Sequence, residues 1–430
     1  MRLIYNLLYP VWLLLFLPGY LAKMFRRGNY RHKFGQRFAI YDRATREQLA
    51  ARNRTWIHAV SVGEVSIALK LAAKIKELDG GFACVLSTTT TTGFALASKQ
   101  APGWMEVIYN PLDFWPVKLR AFHVIRPQRI VLVEAEVWPN LVAIARKRRV
   151  ATALVNARLS PRSERRFRRF RAVVAPTFRC LDLVCVQEAA DVDRWAALGV
   201  PRECIHHVGS IKFDPEPTAI ATTAASERMQ QLGIGADQPV LFGGSTHAGE
   251  EEVLATVFQQ LRREFPLLTL VVAPRHVERT PEIHTRLEEL GLDVALRTES
   301  RTQDRPPDCI LLDTTGELQR WYAVATVVFV GKSLSARGGQ NPVEAIVAGK
   351  PVMFGPHMEN FASLAAALIE GGGAIAISDG PSLGRETARL LRDAAAAARL
   401  VENARAVIER HAGATTRTAE LLLSLRPSRH

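Results

Sequence analysis

From Thr55 onward, short apolar runs alternate with helix-sized segments. "TWIHAVSV", "FACVLSTTT", "MEVIYNP", "RIVLVEAE", "VATALVNA" and "LDLVCVQ" are near-continuously apolar and rich in β-branched residues. Runs of that kind predict strands of a parallel sheet covered on both faces. "FDPEPTAIATTAAS" (213–226) then breaks the rhythm with two prolines and small polar residues, as an interdomain linker does. The alternation restarts with "PVLFGGST", "LTLVVAPRH", "CILLDTT", "VVFVGKS", "PVMFGPH" and "GAIAIS", and from about Ser382 the chain reads as alanine- and leucine-rich helix. The pattern predicts two doubly wound α/β domains in tandem, 25–214 and 236–430, joined by a linker over 215–235.

The first 24 residues follow another pattern. Leu3 to Ala22 carries no charge and is about long enough to cross a bilayer. Lys23, Arg26, Arg27, Arg31, Lys33 and Arg37 follow it, against Arg2 alone before it, an asymmetry that keeps the following domain in the cytoplasm. Tyr5, Tyr9, Trp12 and Tyr20 suit the headgroup level, while Pro10 and Pro18 would kink a spanning helix. The expectation is a membrane anchor over 1–24, spanning or lying on the surface.

Composition adds a preference for anionic partners. The 430 residues hold 56 basic against 42 acidic side chains, a net +14. Five scattered cysteines form no CxxC pair and read as buried thiols in a reducing compartment. The basic run Arg162–Arg171 reads as a solvated helix face or as a contact for anionic headgroups. No RRM, KH, helix-turn-helix or zinc-finger signature accompanies the charge, which argues against nucleic acid.

Candidate chemistry lies where strands end. In open α/β sheets, ligands bind beyond the carboxyl ends of the strands. Two such domains facing a common cleft make the GT-B architecture of glycosyltransferases. Glu64, after "HAVSVG", fits a capping box with Ser61 and equally fits a base at a cleft lip. Glu134 and Glu136 stand two apart behind an apolar strand and need partners, and Lys212 in "GSIKFD" is a candidate cation. In the second half, Arg275 and His276 end a strand, suited to phosphate or base contacts. Gly316 and Glu317 follow another strand, where the glycine lets backbone approach a ligand. "GGQNPVEA" predicts a helix starting at Asn341 as cap and Pro342 as first residue, with Glu344 at the capping-box offset and glycine amides exposed to phosphate. Ser245 or Thr246 is the expected cap of the next helix start, and Glu250, Glu251 and Glu252 read as macrodipole partners needing no functional account.

Taken in order, "HAVSVGE", "EAEVWPN", "NARLS", "GSIKFD", "STHAGEEE", "APRH", "GEL", "FVGKSL", "GGQNPVEA" and "GPHMENF" resemble the 3-deoxy-D-manno-octulosonic acid (Kdo) transferases over nearly the whole chain. The resemblance implies an inverting enzyme that moves Kdo from CMP-Kdo onto a lipid A precursor, at the cytoplasmic face of the bacterial inner membrane, with no cofactor and no metal for the transfer. It implies Glu64 as general base, and Glu134 and Lys212 as transition-state stabilisers. Arg275, His276, Gly316, Glu317, Leu318, Asn341, Pro342, Val343 and Glu344 would hold CMP. Lys332, Gln340, Ala135 and Val137 depart from the residues more usual in that family, and none of them carries an assigned role. Two other readings stand beside it: a GT-B enzyme using a UDP-sugar on a lipid acceptor, and a non-enzymatic basic membrane- or nucleic-acid-binding protein.

Overall fold

The computed structural model describes residues 5–10, 15, 19, 33–50, 54–135, 137–215, 223–299 and 305–427. The chain divides into two compact units: Met1–Asp214 with Gly413–His430, and Pro215–Ala412. The first unit is built on a seven-stranded sheet: β1 (Arg54–His58), β2 (Cys84–Thr88), β3 (Met105–Tyr109), β4 (Pro127–Val133), β5 (Ala151–Ala157), β6 (Leu183–Val186) and β7 (Ile205–His207). Its order is β3-β2-β1-β4-β5-β6-β7 and every pairing is parallel. Alternate residues of one strand serve opposite faces. Trp56 packs into one apolar cluster with Phe122, Ile130 and Leu154, whereas Ile57 packs into the other with Leu71, Val131 and Val155. Burial on both faces is what the unbroken apolar runs required.

The helix Val62–Leu78 covers one face. It buries Val65, Ala68, Leu71, Ala72 and Ile75, a three- and four-residue spacing that makes one apolar stripe, and it ends at Asp79 before two glycines. Full burial of each large side chain contributes roughly 1.5–3 kcal/mol. The helix Ala414–Ser424 adds Ala419 and Leu422 to the same cluster. The second domain expected over 236–430 therefore loses its last helix to the first unit. The reason is tertiary: the buried Asp214 carboxylate accepts the backbone N–H groups of Gly413 and Thr415, both at 2.8 Å, and so caps the returning helix.

The second unit repeats the plan with β8 (Val240–Thr246), β9 (Thr269–Pro274), β10 (Val294–Leu296), β11 (Cys309–Leu311), β12 (Val327–Val330), β13 (Val352–Phe354) and β14 (Ile375–Ala376). The order is β10-β11-β9-β8-β12-β13-β14, again parallel throughout. Part of the stretch read as linker is the helix Thr223–Gln231. All five cysteines are free, and Cys84, Cys185 and Cys309 are buried in the strands.

Most of the expected anchor lies outside the described residues. Within it, residues 5–10 are helical, and Tyr5 and Tyr9 meet protein: the Tyr5 hydroxyl donates to Asp113 Oδ2 at 3.1 Å, and Tyr9 is buried against Phe114. Both tyrosines thus serve this packing in place of the expected headgroup level. Among the described residues no helix is long and apolar enough to cross a membrane.

Candidate active site

In each sheet the first strand has its successor on one side and the later strands on the other, so a crevice opens above its carboxyl end. In the first unit this switch point lies between β1 and β4. The helix start after β1 carries Glu64 and the loop after β4 carries Glu134.

Glu64 stands in the first turn of the helix Val62–Leu78 and is 8% exposed. Ser61 is the N-cap: its Oγ accepts the Glu64 N–H at 3.3 Å and donates to Glu64 Oε1 at 2.9 Å. Glu64 Oε2 accepts the Val60 N–H at 2.8 Å. The reciprocal cap foreseen from S-x-x-E is present, with Val60 as the backbone donor in place of Ser61. Each carboxylate oxygen accepts one bond and keeps a second lone-pair site. Capping therefore fixes the rotamer without using up the base. His58, four residues after Arg54 on β1, is a different matter: burial, then the Lys118 charge, pushes it down to about 3, so it stays neutral.

Glu134 leaves β4 with φ of 61°, a left-handed conformation that costs a non-glycine residue about 1 kcal/mol. Its N–H donates to the Val155 carbonyl at 3.0 Å. Burial and the Glu64 charge raise its pKa, while Arg158 and Lys212 draw it back. Lys212 is lowered, chiefly by burial, with Glu134 opposing. Asn156 holds this group together: its Oδ1 accepts the Ile211 N–H at 3.0 Å and the Ser210 hydroxyl at 3.3 Å, fixing the segment that leads into Lys212. Two carboxylates and two cations thus share one electrostatic site. Glu64, Glu134 and Lys212 were expected there; Arg158 was not singled out, although it lies in the quoted "NARLS". Glu136 lies outside the described residues.

In the second unit the switch point lies between β8 and β12. The chain leaving β12 comes so close to β8 that a Cβ on Gly331 would stand 2.5 Å from the Ser245 carbonyl oxygen, while a Cβ on Gly244 would meet the hydroxyl of Tyr322, from the helix Leu318–Tyr322, at 2.2 Å. Above them the His247 and His276 rings meet edge-on at 5.8 Å. His247 is lowered by burial and by the Lys332 charge. Arg275 is exposed at the end of β9, its N–H anchored on the Thr246 carbonyl at 3.0 Å, and its side chain has no ion-pair partner among the described residues. These loops gather the cations Arg275 and Lys332 beside the His247 and His276 rings, a surface suited to an anion.

Several expectations for this unit change. Ser245 and Thr246 do not cap the helix Glu250–Leu261; its N-cap is Gly249, at φ of 90°. Glu250 and Glu251 are buried, not merely first-turn acids. Glu250 accepts four backbone N–H groups, from His247, Lys332, Ser333 and Leu334, at 2.7–2.9 Å. Glu251 accepts from Thr246 and Arg279, both at 2.9 Å. The helix after the glycine loop covers only Val343–Val347, and Asn341 Oδ1 accepts the Val343 N–H at 3.2 Å, not that of Glu344. Gly338 and Gly339 spend their N–H groups on Glu359 Oε2 and the Lys332 carbonyl. Among the described residues, those of Gln340 and Asn341 remain for a ligand. Gly316 takes φ of 84°, so its glycine answers a turn; a Cβ there meets nothing within 4 Å. Glu317 pairs with Arg297 at 2.7 and 3.0 Å; burial works to raise it, but hydrogen bonds from Thr314 and Arg297 outweigh burial and hold it low.

Residues 32–215 match the family model of 3-deoxy-D-manno-octulosonic-acid transferase (kdotransferase). The 3-deoxy-D-manno-octulosonic acid transferase of Bordetella pertussis is 34% identical over 377 residues, 85% of this chain and 86% of that protein. That of Haemophilus influenzae is 29% identical over 396 residues, 92% of this chain and 91% of its own. Among solved structures, Anabaena HepE in complex with UDP and glucose covers 87% of this chain and all of its own, with a TM-score of 0.50 at 17% identity, a likeness of fold. The two parallel seven-stranded sheets are GT-B-like.

Proposed function

The chain belongs to the 3-deoxy-D-manno-octulosonic acid transferase family of glycosyltransferases, and from that premise we propose that it transfers Kdo from CMP-Kdo to a hydroxyl of a lipid A precursor, with inversion. The observation that carries the proposal is the pairing of Glu64 and Glu134 at the switch point of the first sheet, beside Lys212 and Arg158.

Glu64 takes the acceptor's proton on a free lone pair of its carboxylate. The hydroxyl oxygen then bonds to the anomeric carbon, the bond from that carbon to the phosphate oxygen breaks, and CMP leaves with the electron pair. A base must lie within hydrogen-bond reach of the attacking hydroxyl, and the two bonds to Val60 and Ser61 hold Glu64 in one orientation for it. Glu134 and Lys212 stabilise charge as the sugar passes through the transition state. In the second unit Arg275, His276 and the segment Gly316–Leu318 hold the nucleotide together with the turn Asn341–Glu344, where the Gln340 and Asn341 N–H groups supply backbone donors. A phosphomonoester leaving group carries less charge than a diphosphate, so arginine and amides suffice to neutralise it. The acceptor is met at the cytoplasmic face of the inner membrane, through the N-terminal apolar segment and the basic residues of the first unit.

The test is direct. Purified protein given CMP-Kdo and a tetra-acylated lipid A precursor yields a product heavier by Kdo, read by mass spectrometry. CMP protects the protein against thermal unfolding and UDP does so far less. Protection by UDP together with no Kdo transfer overturns the assignment in favour of a UDP-sugar enzyme.

A further inference from the structure

The loop that begins at Glu134 ends at Pro139 and Asn140, where the helix Pro139–Lys147 starts. That helix has no side-chain cap from Trp138. Its first N–H groups are orphans that need acceptors from elsewhere. Asp113, in the turn after β3, supplies them: Oδ2 accepts the Asn140 N–H and Oδ1 the Leu141 N–H, each at 3.0 Å. The Asp113 carbonyl also accepts Asn140 Nδ2 at 2.6 Å. Asp113 is 2% exposed, with the fully buried Lys118 as its neighbouring cation.

The N-terminal segment reaches this same pair. Tyr5 donates its hydroxyl to Asp113 Oδ2 at 3.1 Å. Asn6 and Asn140 exchange side-chain amide bonds at 3.0 and 2.8 Å. The Trp115 N–H donates to Asn6 Oδ1 at 3.3 Å, and the Tyr9 ring stacks on Phe114 at 5.8 Å and 6°. The polar side chains of residues 5–10 thus face the domain, while Leu7 and Leu8 are 75% and 57% exposed. A segment serving only to hold lipid has no use for hydrogen bonds into a buried carboxylate.

We propose that residues 5–10 position the active site, setting the far end of the Glu134 loop through Asp113 and Asn140. The proposal rests on the role given to Glu134 above. Tyr5, Asn6 and Asp113 are positioning residues, acting through Asn140 and the start of the helix Pro139–Lys147. The near end of the loop is fixed by Glu134 donating to Val155, so only the short span from Ala135 to Pro139 lies between two anchors, one of which the N-terminal segment completes. Seating the segment at the membrane and aligning the transition-state carboxylate then become one event.

The test uses full-length protein and a detergent-dispersed acceptor, so that membrane capture does not limit the rate. Tyr5→Phe combined with Asn6→Ala should lower kcat roughly ten-fold, the worth of one or two lost hydrogen bonds, with KM for CMP-Kdo unchanged. The acidic limb of the kcat–pH profile should move, because the displaced carboxylate meets different charges. In a Glu134→Gln background the same pair should cost nothing further, since residues acting through one group are not additive. Should the combined variant lose cooperative melting, Tyr5→Phe alone, the loss of a single oxygen, serves for the comparison. Unchanged kcat with reduced sedimentation on anionic vesicles overturns the proposal and leaves an anchor only. A full ten-fold loss on top of Glu134→Gln overturns it as well. If Glu134→Gln itself turns over normally, the premise about Glu134 falls; that outcome is distinguishable because this variant leaves Tyr5 and Asn6 in place.

Discussion

The Glu250 carboxylate accepts the backbone N–H of Ser333 at 2.9 Å, so a side chain from the first turn of the helix after β8 fixes the path of the chain after β12. Lys332 and Leu334 donate to the same carboxylate, as does His247 from its own loop. A neutral amide cannot satisfy four donors. Glu250→Gln is expected to cost about 3 kcal/mol, as for a buried charge-assisted network. It should also weaken CMP binding, which thermal melts with and without CMP will measure. An unchanged melting point and unchanged CMP protection would contradict the bracing role.

Glu64→Gln retains one carbonyl acceptor for the helix start and loses the proton acceptor. Turnover should fall on the order of 10³-fold, within the range for a general base, while CMP protection persists and the melting temperature shifts little. Single-turnover kinetics with CMP-Kdo separates this from a binding defect. Turnover near that of the parent protein removes Glu64 from the base role.

The charges around Glu134 set a pH dependence whose sign can be worked out. Its folded pKa is raised, by burial first and Glu64 second, so the protonated form is the one that folding favours. That contribution is complete below the ordinary carboxylate range and is lost as pH rises through the raised value. Lys212 is lowered, so its contribution is present above the ordinary lysine range and is lost as pH falls through the lowered value. Lys212→Met and Arg158→Met each remove a cation that draws Glu134 down, and both should move the Glu134 titration to higher pH. Glu64→Gln should move it lower. Carbon-detected NMR titration of the carboxyl reads all three, and a downward move in Lys212→Met would refute the arrangement.

A chain ending at residue 412 should lose stability in the first unit, not the second. It strips Ala419 and Leu422 from the cluster that holds Leu71 and Val155 and leaves the Asp214 carboxylate without Gly413 and Thr415. The expected loss exceeds ~3 kcal/mol from the apolar burial alone, and Asp214→Asn in the full chain should cost about 2 kcal/mol. Urea unfolding followed by tryptophan fluorescence measures both, since Trp56 and Trp195 are buried in the first unit. Equal stability of the shortened chain would mean that the last helix merely rests on the surface.

What the linear sequence showed and what it concealed separate on physical grounds. Strands buried on both faces announce themselves as apolar runs, so both sheets and the strand-end loops were legible. Glu64 was legible because its cap is local, three residues from Ser61. The partners of Asp214 lie 199 and 201 residues away, and no local pattern marks such a pairing. Glu250 was misread for the opposite reason: an acid in a first helical turn already has a local explanation, which hid its bonds to residues beyond β12. Tyr5 and Tyr9 likewise carried a ready account as interfacial aromatics, although their partners are Asp113 and Phe114.

Four non-glycine residues at or just past the carboxyl ends of strands, Glu134, Asn156, Ser245 and Lys332, take positive φ between 51° and 61°. Replacing any of them by glycine relieves that backbone, a gain of up to about 1 kcal/mol. Selection for heat resistance alone would therefore drift towards glycine at these positions, at the expense of the Glu134 carboxylate and of the Asn156 bonds that hold its surroundings. An engineer seeking a hardier catalyst should hold these four fixed and look for improvement elsewhere.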